Sequence, residues 1–514
     1  MTDDRHPSAP PSFHDALGTQ LERAPYLIAS LGMHATLALL LAGIGFLRPQ
    51  VREAPLLQVS ALPPPPEVVE VPPPPPDVPV DPEILDPLLT EIDVIADPAS
   101  ETLEAVGDPD FTSASPFEAS DWSNVIGPGG GSGGPLGSRG SGNPRGRRPS
   151  PTEAAVARGL EWLADHQTPD DGYWDADEFM SWDQDARAPA SDGAGSPVHD
   201  VGATGLACLA FLGHGNTLTS GAYSEVLRRG VGWLRRAQLA SGLLGEEVGS
   251  GTLYNHAIGT MALGEAYYAG HSPLLRDNLK GAVQVIQRAR NPYNAWRYSL
   301  EPNGDNDSSI TGWMVFALKT AKESGIDVSQ DAFDGAENWF ATMTDKGTGR
   351  TGYAFGEGGG PGGRPSRPRA YLERFPSERS EALTAVALLS RIFLSDSDKL
   401  RSWRDHPDYE VLRRQADLCA RTLPVWDPEG GSCDFYYWYY GTFALYQWGG
   451  EHWTSWRKAI ETALLPNQRS DGNFAGSWDP VGPWGHEGGR VYSTAVGTLI
   501  LEVYYRYSRV LGGR

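Results

Sequence analysis

Six strongly apolar runs with helical character mark the C-terminal two thirds of the chain: Val201–Leu212, Ala257–Tyr268, Ile310–Ala321, Ala382–Leu394, Tyr437–Trp448 and Ala495–Tyr504. About one turn into each sits a small residue: Gly205, Gly259, Gly312, Ala385, Gly441 and Gly497. Before each run lies a second helix-like segment, so the pattern predicts six helical hairpins. A repeat of this length decides the architecture before any single motif does. A small residue at a fixed place in six successive helices predicts that they pack closely around a common axis.

The N-terminal part reads differently. Residues 26–47 form 22 positions without a formal charge, enough for one membrane-spanning helix. With no small-residue cleavage site clearly following, the stretch reads as an uncleaved anchor. Residues 1–25 are then a cytoplasmic tail. The bulk of the chain lies outside, as a single-pass protein of the inner membrane with a periplasmic C-terminal domain. Residues 48–150 carry the proline runs Pro63–Pro66 and Pro72–Pro76 and the Gly/Ser-rich stretch Gly127–Gly142. They read as a disordered spacer whose first part is extended polyproline II. Between Val51 and Val125 stand sixteen Asp or Glu and one Arg. Much of the net charge of −23 therefore belongs to the spacer and says little about what the folded part binds. Nucleic acid is not an expected partner.

Within the span, Ser30 and His34 lie one helical turn apart. This front end resembles TonB-type energy transducers, in which such a histidine face meets a proton-driven motor complex. The resemblance implies a membrane partner for Ser30 and His34. The alternative is a neutral histidine tolerated in the span.

The segments preceding the apolar runs carry a second signal. Gly159, Trp162 and Leu163 lead to Gln167, Gly172 and Trp174; Gly230, Trp233 and Leu234 lead to Gln238 and Gly242. Later copies are worn: Gly281 leads to Gln287 and Trp296, Gly335 to Trp339, Gly352 and Tyr353, and Gln468 to Gly472 and Phe474. The pattern resembles the QW repeat of squalene and oxidosqualene cyclases, found loosely in protein prenyltransferase β-subunits. The resemblance covers about residues 151–512. It implies an all-α (α/α)6 toroid of six outer and six inner helices, in which Trp and Leu fill the wedge between helices. The glutamine is expected to meet free carbonyls at helix ends.

In such a toroid the N-termini of the inner helices gather at one mouth. This brings together His199 and Asp200; Tyr254, Asn255 and His256; Asp305, Asp307 and Ser308; Glu378, Arg379 and Glu381; Asp434, Tyr436, Tyr437 and Trp438; and His486, Arg490 and Tyr492. Helix capping is the ordinary role of each acidic residue there. Class II terpene cyclases protonate an alkene with the middle Asp of an Asp-x-Asp-Asp-Thr motif. The comparable stretch runs from Asp305 to Ser309, which keeps Asp307 but has Ser308 in place of the last Asp. The resemblance makes Asp307 a candidate general acid, with Asp305, Glu381 or His256 assisting. Prenyltransferases bind zinc with an Asp, a Cys and a His. Asp434 and its neighbours match that context, but Tyr437 stands at the histidine position and no Cys lies near Asp305 or Asp307. No metal and no cofactor is therefore expected. The thioester motif of complement proteins, which share the toroid, is absent.

Candidate ligand-binding residues are Asp200, Tyr254, Tyr436, Tyr437, Trp438, Arg490 and Tyr492. The aromatic run from Phe435 to Tyr440 suits stacking on sugars or covering an apolar chain. The Gly- and Arg-rich insertion Gly356–Arg369 explains the one long repeat spacing and predicts a loop over one face. Cys208 reads as core, and Cys419 and Cys433 flank one hairpin turn where a disulfide is an open alternative. Two function classes remain: a binding or scaffolding module of the cell envelope for an apolar, glycan or protein ligand, or an enzyme of terpene-cyclase type.

Overall fold

The computed structural model describes residues 150–511, apart from 356–359, 365–366, 397–398 and 508. All of them belong to Ala105–Arg514, the second of two units into which the chain divides. The anchor at 26–47, the pair Ser30 and His34 and the spacer at 48–149 lie outside the described residues. No described helix is long and apolar enough to cross a membrane.

The described residues form thirteen α-helices and no strand, only two isolated β-bridges. Six are outer helices: α1 (Pro151–Asp165), α3 (Ser224–Arg236), α5 (Pro273–Ala289), α7 (Gln330–Met343), α10 (Tyr409–Arg421) and α12 (Gly450–Leu464). Six are inner helices: α2 (Asp200–Gly213), α4 (Thr252–Gly270), α6 (Ser308–Glu323), α9 (Ala382–Leu394), α11 (Phe435–Trp448) and α13 (Gly485–Arg506). The short α8 (Arg369–Arg374) belongs to the insertion.

The ring closes. Each inner helix packs on the next, from α2 through α4, α6, α9 and α11 to α13, and α13 packs back on α2. The outer helices lie against this ring in sequence, giving an (α/α)6 toroid. The inner helices are buried on nearly every side, which is why they read as apolar all round; the outer ones bury one stripe. Starts are set by ordinary caps. Ser150 accepts from the Glu153 amide while the Glu153 carboxylate accepts from the Ser150 amide at 2.8 Å, and proline opens α1 and α5.

The glutamines of the repeat act as ring staples. Gln167 donates to the carbonyls of Gly172 and of Val226 in α3, both at 2.8 Å. Gln238 does the same to Gly242 and to Asn278 in α5, at 2.9 and 2.8 Å. Gln468 donates to Gly476 and to Ala155 in α1, both at 2.8 Å, tying the last repeat to the first. Trp174, Trp296 and Trp478 each return an indole N–H to a carbonyl at the end of the preceding outer helix.

The six inner helices pack around a common axis as expected, and their small residues serve two kinds of contact. Gly205 and Gly312 make room for a neighbouring inner helix, at Ile258 and Val386 respectively. Gly441 and Gly497 face outward, onto the indoles of Trp456 and Trp478. The bore is closed by aromatic rings instead: Tyr440 stacks on Phe316 at 5.3 Å and Trp313 on Tyr439 at 6.0 Å. All three cysteines are free and buried, so no disulfide joins Cys419 to Cys433.

Candidate functional site

Most inner helices connect to the following outer helix by short links, the stretch from Leu394 to Tyr409 excepted, whereas the outer-to-inner connections are longer; Asp165 to Asp200 and Met343 to Ala382 are the longest. The long ones gather where the inner helices begin, and there they enclose a cavity of about 740 Å³. Residues at or near the start of all six inner helices contribute: His199, Tyr254, Ser309, Glu381, Tyr436 and Glu487 among them, with Tyr492 one to two turns further into α13.

One wall is aromatic, formed by Tyr254, Tyr298, Tyr353, Tyr436, Tyr492, Trp313 and Trp484. Its hydroxyls are linked. Tyr254 and Ser309 lie 2.5 Å apart, Tyr298 pairs with Tyr353, and Tyr436 donates to the Ser309 carbonyl at 3.4 Å. Arginines line the cavity as well. Glu381 is nearly buried and receives Arg350 and Arg364, each at 2.9 Å, with Thr384 donating to its other oxygen at 2.9 Å. The guanidinium of Arg367 lies 5.9, 5.4 and 5.7 Å from the ring centres of Tyr353, Tyr371 and Trp484. At the seam between α2, α4 and α13, His199 has Asn255 Oδ1 at 3.1 Å and Glu487 Oε2 at 2.9 Å.

The candidate residues separate sharply. Tyr254, Tyr436, Tyr492 and Glu381 stand on the cavity wall. Asp307 lies behind it, fully buried, as the N-cap of α6. Its Oδ1 accepts from the Ser309 and Ile310 amides and the Ser309 hydroxyl, all at 2.9 Å. Tyr298 faces the same carboxylate, but Oδ2 is buried without a hydrogen bond of ordinary geometry. Burial pushes this carboxyl above its usual range, against the hydrogen bonds that pull it down. Asp434 has the same dual character: it caps α11 at the Tyr437 amide, accepts from Ser380 at 2.9 Å, and is raised by burial.

The remaining candidates do not line the cavity. Asp305 is on the exposed rim, 3.9 Å from Arg297. His256 is walled in: Nδ1 accepts from the Leu244 amide and Nε2 donates to the Ala282 carbonyl, both at 3.0 Å. Burial lowers its pKa to about 4, so it is a neutral core histidine. Tyr437 turns toward the outer layer, donating to the carbonyls of Cys419 and Thr422, and Trp438 is buried beside Trp426. Arg490 is 1% exposed and holds the first long connection to the last, through Asp192 and Asp479 at 2.6 and 2.7 Å. Asp200 accepts from the Ala176 amide at 2.9 Å and sits near Asp175 and Asp177; burial raises it to about 7. These three carboxylates are the sole set of three or more His, Cys, Asp or Glu side chains close enough to share a cation among the described residues.

The arginines and Tyr298, Tyr353, Tyr371 and Trp484 were not among the sequence candidates. The Gly- and Arg-rich insertion was the signal for two of them, Arg364 and Arg367. At the far end of the toroid lies a second unanticipated group. Arg506 donates to Glu265 at 2.5 Å and to the Leu209 carbonyl at 2.8 Å, with Glu502 3.5 Å away, all three buried.

No sequence family matches the chain, and no curated protein does. Among solved structures it is similar to an inactive variant of the α-1,6-mannanase of Salegentibacter sp. HEL1_6 in complex with α-1,6-mannotriose, at 9% identity and a TM-score of 0.48, over 70% of this chain and 100% of that one. It is also similar to the unsaturated glucuronyl hydrolase of Bacillus sp. GL1, at 14% and 0.47, over 70% and 97%. A third is the type II terpene cyclase MstE from Scytonema, at 13% and 0.40, over 69% and 98%. The toroid rests on the helix packing described above, and no activity is carried over from these proteins.

Proposed function

We propose that the chain is a membrane-anchored, outward-facing ligand-binding module of the cell envelope, a squalene-cyclase- and prenyltransferase-like repeat toroid without the usual chemistry of those families. The observation that carries this reading is the separation of the cavity from the family's reactive positions. A cavity of about 740 Å³ is of the size that receives small ligands, roughly 300–1,000 Å³. Yet the side chain at the position of the acid, Asp307, is engaged as a helix cap behind the wall, and Tyr437, at the position of the metal ligand, faces the outer helices. The anchor at 26–47 and a motor-type partner at Ser30 and His34 belong to the same reading.

The test is native mass spectrometry of the detergent-solubilised chain, together with Leu383→Trp, which fills the cavity. A ligand retained by the wild type and lost from the variant supports the reading. A ligand retained equally by both places binding elsewhere.

One observation favours a second reading, an enzyme of terpene-cyclase type. Asp307 Oδ2 is buried without a hydrogen bond of ordinary geometry, on a carboxyl that burial holds above its usual range, the direction a proton donor needs. Tyr298, which faces it, also stands on the cavity wall. In this reading Asp307 gives its proton to an alkene, and loss of a proton from the resulting cation restores the balance.

A further inference from the structure

We infer that the ligand is an acidic saccharide whose carboxylate is received by Arg367. This rests on the reading of the cavity as a ligand site and names what fills it.

Arg367 differs from the other arginines of the wall. Arg350 and Arg364 converge on Glu381, and Arg297 lies near Asp305. Among the described residues no carboxylate comes within ion-pair distance of Arg367; its recorded contacts are the rings of Tyr353, Tyr371 and Trp484. Three rings within the roughly 6 Å reach of cation–π attraction hold the guanidinium without using its hydrogen-bond donors. Over the whole described lining, the four arginines Arg297, Arg350, Arg364 and Arg367 face the three carboxylates Glu381, Asp434 and Glu487, and two of the guanidiniums share Glu381, which leaves a formal surplus of one positive charge. A planar guanidinium with no carboxylate partner among the described residues is suited to bidentate pairing with a ligand carboxylate.

The rest of the wall selects the body of the ligand. The C–H face of a sugar ring stacks on aromatic rings, and its hydroxyls need partners such as Asn255, Ser309 and Ser380, which face the same space. An alkyl chain would cover the hydrogen-bond donors of Arg367 without giving them an acceptor, which is unfavourable. The chemistry thus points away from an isoprenoid and toward a ring-built, hydroxylated anion.

The experiment is isothermal titration of the full chain in detergent with tetragalacturonate, its fully methyl-esterified form and farnesyl diphosphate. Tetragalacturonate is expected to bind at least roughly tenfold more tightly than the ester, a difference of about 1.4 kcal/mol. Arg367→Gln is expected to remove that preference, Arg367→Lys to keep part of it through charge, and Arg404→Gln, at an exposed position, to leave it intact. Thermal melts of each variant establish folding. Equal binding of acid and ester, indifference to Arg367→Gln, or binding of farnesyl diphosphate alone overturns the inference. Failure of every probe overturns it too. The ligand-site reading itself stands or falls separately, on the retained mass in the Leu383→Trp comparison.

Discussion

Tyr254 reaches Asp307 only through the hydroxyl of Ser309, 2.5 Å from the tyrosine oxygen and 2.9 Å from the carboxylate Oδ1. Because the serine donates its proton to the carboxylate, the tyrosine must donate to the serine. The chain of hydrogen bonds therefore runs from the cavity wall inward and ends on a helix cap. Two consequences follow for Asp307: it is structurally engaged, and it sits behind a wall from which Tyr298 also faces it.

Asp307→Ala removes the acceptor for two amides and a hydroxyl, and is expected to cost about 1–2 kcal/mol in urea unfolding, the usual range for a lost N-cap. Asp307→Asn keeps a carbonyl oxygen at the cap and is expected to cost less than about 1 kcal/mol. If the two variants are equally destabilised, the carbonyl does not replace the carboxylate and the cap assignment fails.

At Gly441 an added Cβ would lie 2.5 Å from two ring carbons of Trp456, which is fully buried and hydrogen-bonded to Thr442. Gly441→Ala is expected to destabilise by roughly 1–3 kcal/mol through overpacking. Gly270→Ala, with nothing within 4 Å, is the matched control and should be neutral or slightly stabilising. Equal chemical-denaturation midpoints for the two variants would contradict the packing described for α11 on α12.

The buried group at the far end gives a pH dependence with a definite sign. Burial holds Glu502 well above its ordinary value of 4.5, against the pull of Arg506. A carboxyl raised on folding stabilises most below its unfolded pKa, and that contribution is lost as pH rises toward the folded value. Glu502→Gln is therefore expected to remove a decline in melting temperature above about pH 4.5, and to equal or exceed the wild type at pH 8. Glu265→Gln leaves Arg506 without its close partner and is expected to cost about 3–5 kcal/mol. The reverse ranking at pH 8 would show that Glu502, not Glu265, carries the charge.

With three buried free thiols, the folded chain should resist alkylation and take up three labels only after unfolding. Burial raises all three thiols, which keeps them in the unreactive form. Two labels fewer under non-reducing denaturation would reveal a disulfide.

The ring was legible in the sequence because its determinants are local. Gln167, Gln238 and Gln468 each lie a few residues before the glycine whose carbonyl they meet, five, four and eight respectively, and each makes a second bond to the next outer helix round the ring. The facing of individual side chains was not legible. From Phe435 to Tyr440 every residue is aromatic, so no polar position marks which side of the helix meets solvent. Of these six, Tyr436 alone lines the cavity, while Tyr437 and Trp438 pack outward. His256 misled for a similar reason: its position in the repeat is right, but one turn of helix aims it at α5. Arg364 and Arg367 line the cavity from described parts of the long connection between α7 and α9, a placement that no helical periodicity encodes.

The central claim is that the mouth of this toroid binds a ligand without converting it by way of Asp307. The most direct measurement is mass analysis of the ligand released from wild type and from Asp307→Asn after prolonged incubation with that ligand. Equal affinities, with the compound recovered unchanged from both proteins, are the predicted result. A new product from the wild type that disappears in Asp307→Asn, with binding preserved, would contradict the account and establish Asp307 as the acid of an enzyme.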